Sequence, residues 1–240
     1  MTDFPGAGQG SSFYTHSSPF NLVGEVFAAL PSGCAWWASQ GALLVADLHL
    51  GKASTMAAGG LPMSRHLCLQ AARADLARLG RELMSTGARR LIILGDLLHA
   101  AESQQPELLD EVERWRQSDF GPLPITLVRG NHDRRAGDPP QCWRFECVNE
   151  PFDLAGIALR HIPPRGRDAA QPWMAGHLHP VASISSRGGE RLRAKCFHVT
   201  PRGVILPAFG SFTGGAAVRP APEDRVLLCG PAGVVAWNCA

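Results

Sequence analysis

Leu91-Ile92-Ile93-Leu94-Gly95-Asp96-Leu97-Leu98-His99 begins as an apolar run and stops on Gly-Asp. A run this short, closed by Gly and a charge, reads as a buried strand that delivers one carboxylate to the carboxyl edge of a sheet. The pattern recurs. Leu43-Leu44-Val45-Ala46 leads into Asp47-Leu48-His49, and Ile125-Thr126-Leu127-Val128 leads into Arg129-Gly130-Asn131-His132-Asp133. Weaker versions are Ile157-Ala158-Leu159-Arg160 before His161, and Trp173-Met174-Ala175 before Gly176-His177-Leu178-His179. In an open α/β sheet the ligand site lies outside the carboxyl ends of the strands, so these ends pool Asp, Asn and His side chains in one crevice.

The segments between the motifs supply the rest of an α/β pattern. Asp47 to Lys52 runs into a Gly-rich loop through Gly59-Gly60-Leu61-Pro62. Ser64 is placed to cap a helix reaching Thr86, with Cys68, Ala72, Leu76, Leu79 and Leu83 as its apolar stripe and Gly87 as its stop. A second helix is expected from Pro106 to Ser118, with Leu108, Leu109, Val112 and Trp115 inward. Upstream, Phe20 to Trp37 suggests one or two introductory strands. From Gly137 onward helical periodicity vanishes, and short apolar runs at Leu192–Thr200, Gly203–Leu206, Arg225–Cys229 and Gly233–Trp237 make the second half mostly β. Residues 1–19 have little to bury and are expected to form a disordered tail, leaving 20–240 as a single domain.

Bulk properties narrow the function classes. The 240 residues are 45% hydrophobic, ample for a core, and the net charge is only +2, so this is no polybasic nucleic-acid coat. Seven scattered Cys without C-x-x-C spacing argue against a disulfide framework or zinc ribbon and for a reducing compartment. With no signal-peptide pattern and no apolar run long enough for a membrane span, a cytoplasmic protein is expected.

Taken singly, a strand-end Asp or His is more often a turn former than a ligand. Together, the carboxylates of Asp47 and Asp96, the amide of Asn131 and the imidazoles of His49, His161, His177 and His179 form a mixed O/N donor set with no thiolate. Such ligands suit Mn, Fe, Zn, Ni or Co better than structural zinc or calcium. Seven donors exceed one tetrahedral ion and match two metals sharing a bridging carboxylate. Such pairs activate water and clamp a phosphoryl group, so phosphate-ester hydrolysis is the natural reaction.

Asp47-Leu48-His49, Gly95-Asp96, Gly130-Asn131-His132-Asp133, His161 and Gly176-His177-Leu178-His179, in that order, resemble the calcineurin-like metallophosphoesterases. The likeness spans Leu43 to His179 and implies a four-layer α/β/β/α sandwich with two mixed sheets flanked by helices. It also implies that Asp47, His49 and His179 hold one divalent metal, that Asn131, His161 and His177 hold the other, and that Asp96 bridges them, with Mn the favoured ion. His132 and Asp133 would be catalytic: His132 protonates the leaving oxygen or stabilises transition-state charge, and Asp133 orients it or its loop. The His161 motif lacks the Gly that often follows this His in the family, and His99 stands where many relatives carry an acid. Lys52, His99 and Arg134 are candidate substrate or supporting contacts, and Arg134, Arg135 and Arg165 could engage a polynucleotide backbone.

Downstream, Gly176 to Pro180, Arg193-Ala194-Lys195-Cys196-Phe197 and Leu206 to Gly215 are similar to one bacterial subgroup, the ligase-associated DNA damage response endonucleases. That likeness implies a DNA endonuclease linked to repair, with an ATP-dependent DNA ligase and a helicase as functional partners. The near-neutral charge fits equally a phosphodiesterase or phosphatase for small substrates such as cyclic nucleotides. A non-catalytic binding scaffold of the same fold is a third reading, which the presence of His132 disfavours. His66 and His198 are read as structural, His16 as solvated, and Phe209 to Gly215 as a loop beside the site.

Overall fold

The computed structural model describes residues 16–100, 105–118, 120–185 and 191–237. The expected tail therefore lies largely outside the described residues, although Ser18 and Pro19 already belong to the first strand. Among the described residues, strands β1 (Ser18–Leu22), β2 (Glu25–Ala29), β3 (Ala35–Trp37), β4 (Ala42–Val45), β5 (Arg90–Leu94), β6 (Ile125–Val128) and β7 (Phe145–Val148) form one sheet in chain order. The introductory region thus holds three strands. The extra one comes from a tight β1–β2 turn at Val23 (φ 51°) and Gly24 (φ 85°), a pairing that suits a two-residue hairpin.

β4 to β7 run parallel, and helices fill each crossover. These are α1 (Lys52–Ala58), α2 (Arg65–Thr86), α3 (Pro106–Gln117) and α4 (Asn131–Ala136). Every step advances to the next strand, so crossovers of one hand place their helices on one face. Alternation along the strands shows this: Leu43, Val45, Leu91 and Ile93 pack with Ala72, Leu76, Leu79, Leu108 and Val112, while Leu44, Ala46, Ile92 and Leu94 face the other way. The α2 caps are those expected, with the Ser64 hydroxyl accepting from Leu67 N and Gly87 in the left-handed conformation. α1 departs from expectation. The chain after Gly51 is helical for two turns before Gly59, because Ala53, Met56 and Ala57 suit a helix and Leu61 N closes it on the Met56 carbonyl.

The opposite face meets the second sheet, ordered β14 (Ala216–Ala217), β11 (Pro180–Ser185), β12 (Arg191–Val199), β13 (Gly203–Ile205), β10 (Trp173–Ala175), β9 (Ile157–Leu159) and β8 (Phe152–Leu154). β15 (Arg225–Gly230) pairs with β12 and with β16 (Gly233–Trp237). Both sheets are mixed, since β9, β10 and β13 are parallel within a largely antiparallel set. Phe20, Phe27, Trp37, Phe197 and Leu227 fill the space between the sheets. At one point the sheets touch through backbone: Ala46, past the end of β4, bridges Ala208, past the end of β13. No helix among the described residues is long and apolar enough to cross a membrane.

Candidate metal centre

The carboxyl ends of β4, β5, β6, β9 and β10 converge, and each carries its first motif ligand candidate two or three residues beyond the end of the strand. The chain there is unusually bent. Five of the eight described non-glycine residues with positive φ are Asp47 (56°), His49 (48°), Asp96 (53°), His177 (69°) and His179 (46°). Left-handed backbone is unfavourable for such residues and persists where surroundings over-determine it. Here the reversal after each strand turns the side chain into the crevice. Gly95 (φ 80°) makes room, since a Cβ there would lie 2.3 Å from His161 Nδ1.

Three groups of donors result among the described residues; one, His49 with His99 and His132, lies at the rim, and the other two contain the predicted ligands. In the first of these two, Asp47, His49 and His179 bring ligand atoms together: His49 Nε2 lies 3.4 Å from His179 Nε2, and His179 Nε2 lies 3.4 Å from Asp47 Oδ1. In the second, Asp96, His161 and His177 do the same, with Asn131 beside them. His161 Nε2 is 2.9 Å from Asn131 Oδ1, 3.0 Å from His177 Nδ1 and 3.5 Å from Asp96 Oδ1. Asp96 reaches both groups, because its other oxygen lies 3.6 Å from His49 Nε2. The structure brings together all seven residues that the sequence offers as candidate donors.

The chemistry of this set asks for cations. Asp47 is fully buried, with Oδ2 accepting from His177 N at 2.8 Å and Oδ1 without a hydrogen-bond partner. A buried carboxylate oxygen with no donor is costly unless a positive charge faces it. His161, also fully buried, sets its Nδ1 against the Leu94 carbonyl at 3.1 Å, so that nitrogen carries the proton in the neutral ring. Nε2 then points a lone pair at the oxygen of Asn131, an arrangement a metal ion resolves. Burial, with the Lys52 ammonium next in weight, pushes the His49 imidazole down to about 2, which keeps it in the ligating neutral form. Burial, reinforced by His161, also lowers His177. Burial raises the Asp96 carboxyl, against the pull of His161 and of the His132 N–H.

His132 stands at the rim. Its N–H donates to Asp96 Oδ1 at 2.9 Å, its ring stacks on His99 with centroids 4.8 Å apart, and its Nδ1 donates to the His99 carbonyl. The proton fixed on Nδ1 leaves Nε2 for a substrate atom. His99 also meets His49, Nδ1 to Nδ1 at 3.2 Å, on the side opposite the crevice. Asp133 lies beneath. Its carboxylate accepts from the backbone N–H of Asp96 (2.7 Å), Leu97 (2.9 Å), Leu98 (3.2 Å) and Gly130 (2.9 Å), so it holds the Asp96 loop and the start of α4 and makes none of these bonds to the His132 side chain.

Other predicted residues sit farther out. Lys52 is half-buried at the start of α1, its ammonium lowered by burial and drawn back up by Asp47 and Asp96. Arg134 approaches Glu150 at 3.4 Å, while Arg135 and Arg165 are exposed. His198 pairs with Asp224 at 2.7 Å, away from the centre, and His16 and His66 are exposed. Glu150 escaped sequence reasoning. Its Oε2 accepts from both His161 N and Ile162 N at 2.9 Å, shaping the turn that presents His161. Asp75 escaped too, although an acid on the inward stripe of α2, three residues after Ala72 and four before Leu79, was a readable signal.

Comparison with known proteins agrees with this geometry. Residues 42–166 match the calcineurin-like phosphoesterase family. The crystal structure of the Pseudomonas putida nuclease MPE is similar at 39% identity and a TM-score of 0.77, over 91% of this chain and all of that one. Yfce, a phosphoesterase from E. coli, aligns at 15% identity and a TM-score of 0.36, over 79% of this chain and 88% of its own. No curated protein matches. The chain belongs to the calcineurin-like phosphoesterase family and is a hydrolase of phosphoester bonds whose His and Asp clusters fit divalent metal.

Proposed function

We propose that the chain is a two-metal phosphodiesterase acting on DNA, as an endonuclease serving repair in the cytoplasm, carried by a single domain from about residue 20 to 240. One observation supports the two-metal reading: Asp96 sets one carboxylate oxygen 3.5 Å from His161 Nε2 in one donor group and the other 3.6 Å from His49 Nε2 in the next. Asp47, His49 and His179 would hold one ion and Asn131, His161 and His177 the other, with Mn favoured by the mixed donor set and Fe, Zn, Ni or Co as chemically compatible ions. Bound ions supply Lewis acidity toward the phosphoryl group and make water nucleophilic at neutral pH.

The protein's own groups do the rest. Asp96 and Asp47 place their oxygens in a buried pocket where little water competes. His132, its Nδ1–H held by the His99 carbonyl, would give a second proton, carried on Nε2, to the leaving oxygen. Lys52, His99 and Arg134 are the candidate phosphate or supporting contacts. The similarity to a Pseudomonas putida nuclease supports a nucleic-acid substrate, and a DNA ligase and helicase are the partners the subgroup likeness suggests. Net charge of +2 supports the second reading, a small-substrate phosphodiesterase.

The test is hydrolysis of bis(p-nitrophenyl) phosphate and the matching monoester with Mn, Mg, Zn or no metal. We expect Mn-dependent diester turnover that falls roughly a hundred- to ten-thousandfold in kcat for His132→Ala, with metal binding retained. Plasmid DNA and cyclic nucleotides then separate the two substrate classes. Full turnover without metal, or unaltered turnover by His132→Ala, refutes the mechanism.

A further inference from the structure

Two segments flagged in the sequence and left without a role, Arg193 to Phe197 and Leu206 to Gly215, meet behind Asp47. Beyond β13 the chain passes close against the end of β4. Phe209 N donates to the Ala46 carbonyl at 2.8 Å and Gly210 N to the Asp47 carbonyl at 3.1 Å. The fit is tight, because a Cβ on Gly210 would lie 2.2 Å from the Leu48 carbonyl oxygen. This short strap takes the place of a strand partner along the residues that carry the Asp47 side chain, in the left-handed turn that aims it at the metal position.

The strap is held from behind by charge. Lys195 Nζ donates to three successive carbonyls, of Ala208 (2.6 Å), Phe209 (3.3 Å) and Gly210 (3.0 Å). Arg78, on α2, donates to the Phe209 carbonyl at 2.5 Å and lays its guanidinium 3.9 Å from the centre of the Phe209 ring. Asp75, one turn earlier and buried, pairs with Arg78 at 2.9 Å and accepts from Ser211 N (3.0 Å) and Ser211 Oγ (2.5 Å). A Lys from the second sheet and an Arg–Asp pair from a helix on the far side of the first thus converge on one stretch of backbone. The ammonium bears a cost for being there, since burial pushes Lys195 down to about 8. A partly buried lysine bound to carbonyls alone is a poor stabilising device.

We infer that Lys195, with the Arg78–Asp75 pair, is a positioning group for the Asp47 ligand set: it locks the strap peptides whose N–H groups seat Ala46 and Asp47. None of the three touches substrate or metal. The inference rests on the reading of Asp47, His49 and His179 as one metal position.

Calorimetric titration of Mn into the metal-stripped full-length protein tests it without any need for turnover. Lys195→Met keeps the aliphatic stem and removes the donors. We expect one of two Mn sites to weaken roughly tenfold and the other to stay within about twofold. In diester hydrolysis at fixed Mn, kcat should fall more than KM rises. Asp75→Asn, a gentler change, should shift the same site in the same direction by a smaller factor. The control is Arg116→Met. Arg116 is another buried cation on carbonyls, those of Trp143 (2.9 Å) and Leu123 (2.7 Å), placed where β6 begins rather than where it ends. It should lower the melting temperature and leave both Mn constants unchanged. If Lys195→Met and Asp75→Asn melt lower but bind Mn as the wild type does, the network is merely structural and the inference fails. If the wild-type protein binds no Mn, the metal reading fails with it.

Discussion

The two ligand groups sit side by side, and opposite charges hold them. The Asp96 and His161 turns are gripped by carboxylates: Asp133 takes four backbone N–H groups and Glu150 takes two. The Asp47 turn is held at one remove: its carbonyls accept from strap N–H groups, and the cations Lys195 and Arg78 grip the carbonyls of the strap itself. A sharp turn leaves either its N–H or its C=O groups facing inward without a ladder partner, and the side chain recruited has the sign those groups require. The lesson is that such a bent turn has a dedicated polar anchor, acting directly or through a strap, whose charge matches the backbone groups it grips.

Removing the carboxylate anchor should have the largest effect. Asp133→Ala strands four buried N–H groups, and we expect a loss of about 4 kcal/mol in urea unfolding, together with loss of Mn at the Asp96 group. A loss under about 1 kcal/mol would mean that the N–H groups find other acceptors and that the anchor is dispensable. Glu150→Gln keeps an oxygen but weakens two charge-assisted bonds, so about 1 kcal/mol is expected, with a severalfold weaker second Mn site and an intact Asp47 site. Equal weakening of both sites would erase the contrast between the anchors.

The smallest effect is one of pH. The ordinary value for Lys195 is 10.5 and burial brings it to about 8 in the folded protein, so between these values the unfolded chain binds the extra proton. That gap penalises folding in full below about pH 8, and the penalty is relieved as pH rises toward 10.5. Burial raises Cys34, Cys147, Cys196 and Cys229, which opposes the trend over part of the same range. The informative quantity is therefore the stability difference between wild type and Lys195→Met, which should shift in favour of the wild type from pH 8 to pH 10. A flat difference would show that Lys195 is not the buried ammonium described.

Much of this architecture was legible in the residues. β4, β5 and β6 announce themselves because short apolar runs end on Gly-Asp, Ala-Asp or Gly-Asn, and α2 because Ser64, a helical stripe and Gly87 agree. Strand-end placement singles out all seven residues that converge in the crevice. The anchors did not, for a physical reason. Lys195, Arg78, Asp75 and Ser211 are separated by up to 136 residues and become neighbours only when two sheets stack. The sequence reads Asp133 as orienting His132 or its loop, yet three of its four amides lie in the loop after β5, a pairing visible only once β5 and β6 are adjacent. α1 was read as loop because its flanking glycines outweighed a short Ala-rich segment.

The meeting of Ala46 with Ala208 also bears on the order in which the protein is made. A nascent chain that has emerged from the ribosome as far as His179 already contains every candidate ligand, together with all of the first sheet. It still lacks residues 195 and 208–211, whose side chains and amides close over Asp47. Domains complete themselves as synthesis proceeds from the N-terminus. The first candidate ligand in sequence is therefore seated only after the last of them has been made, once residues 195–211 have joined the fold.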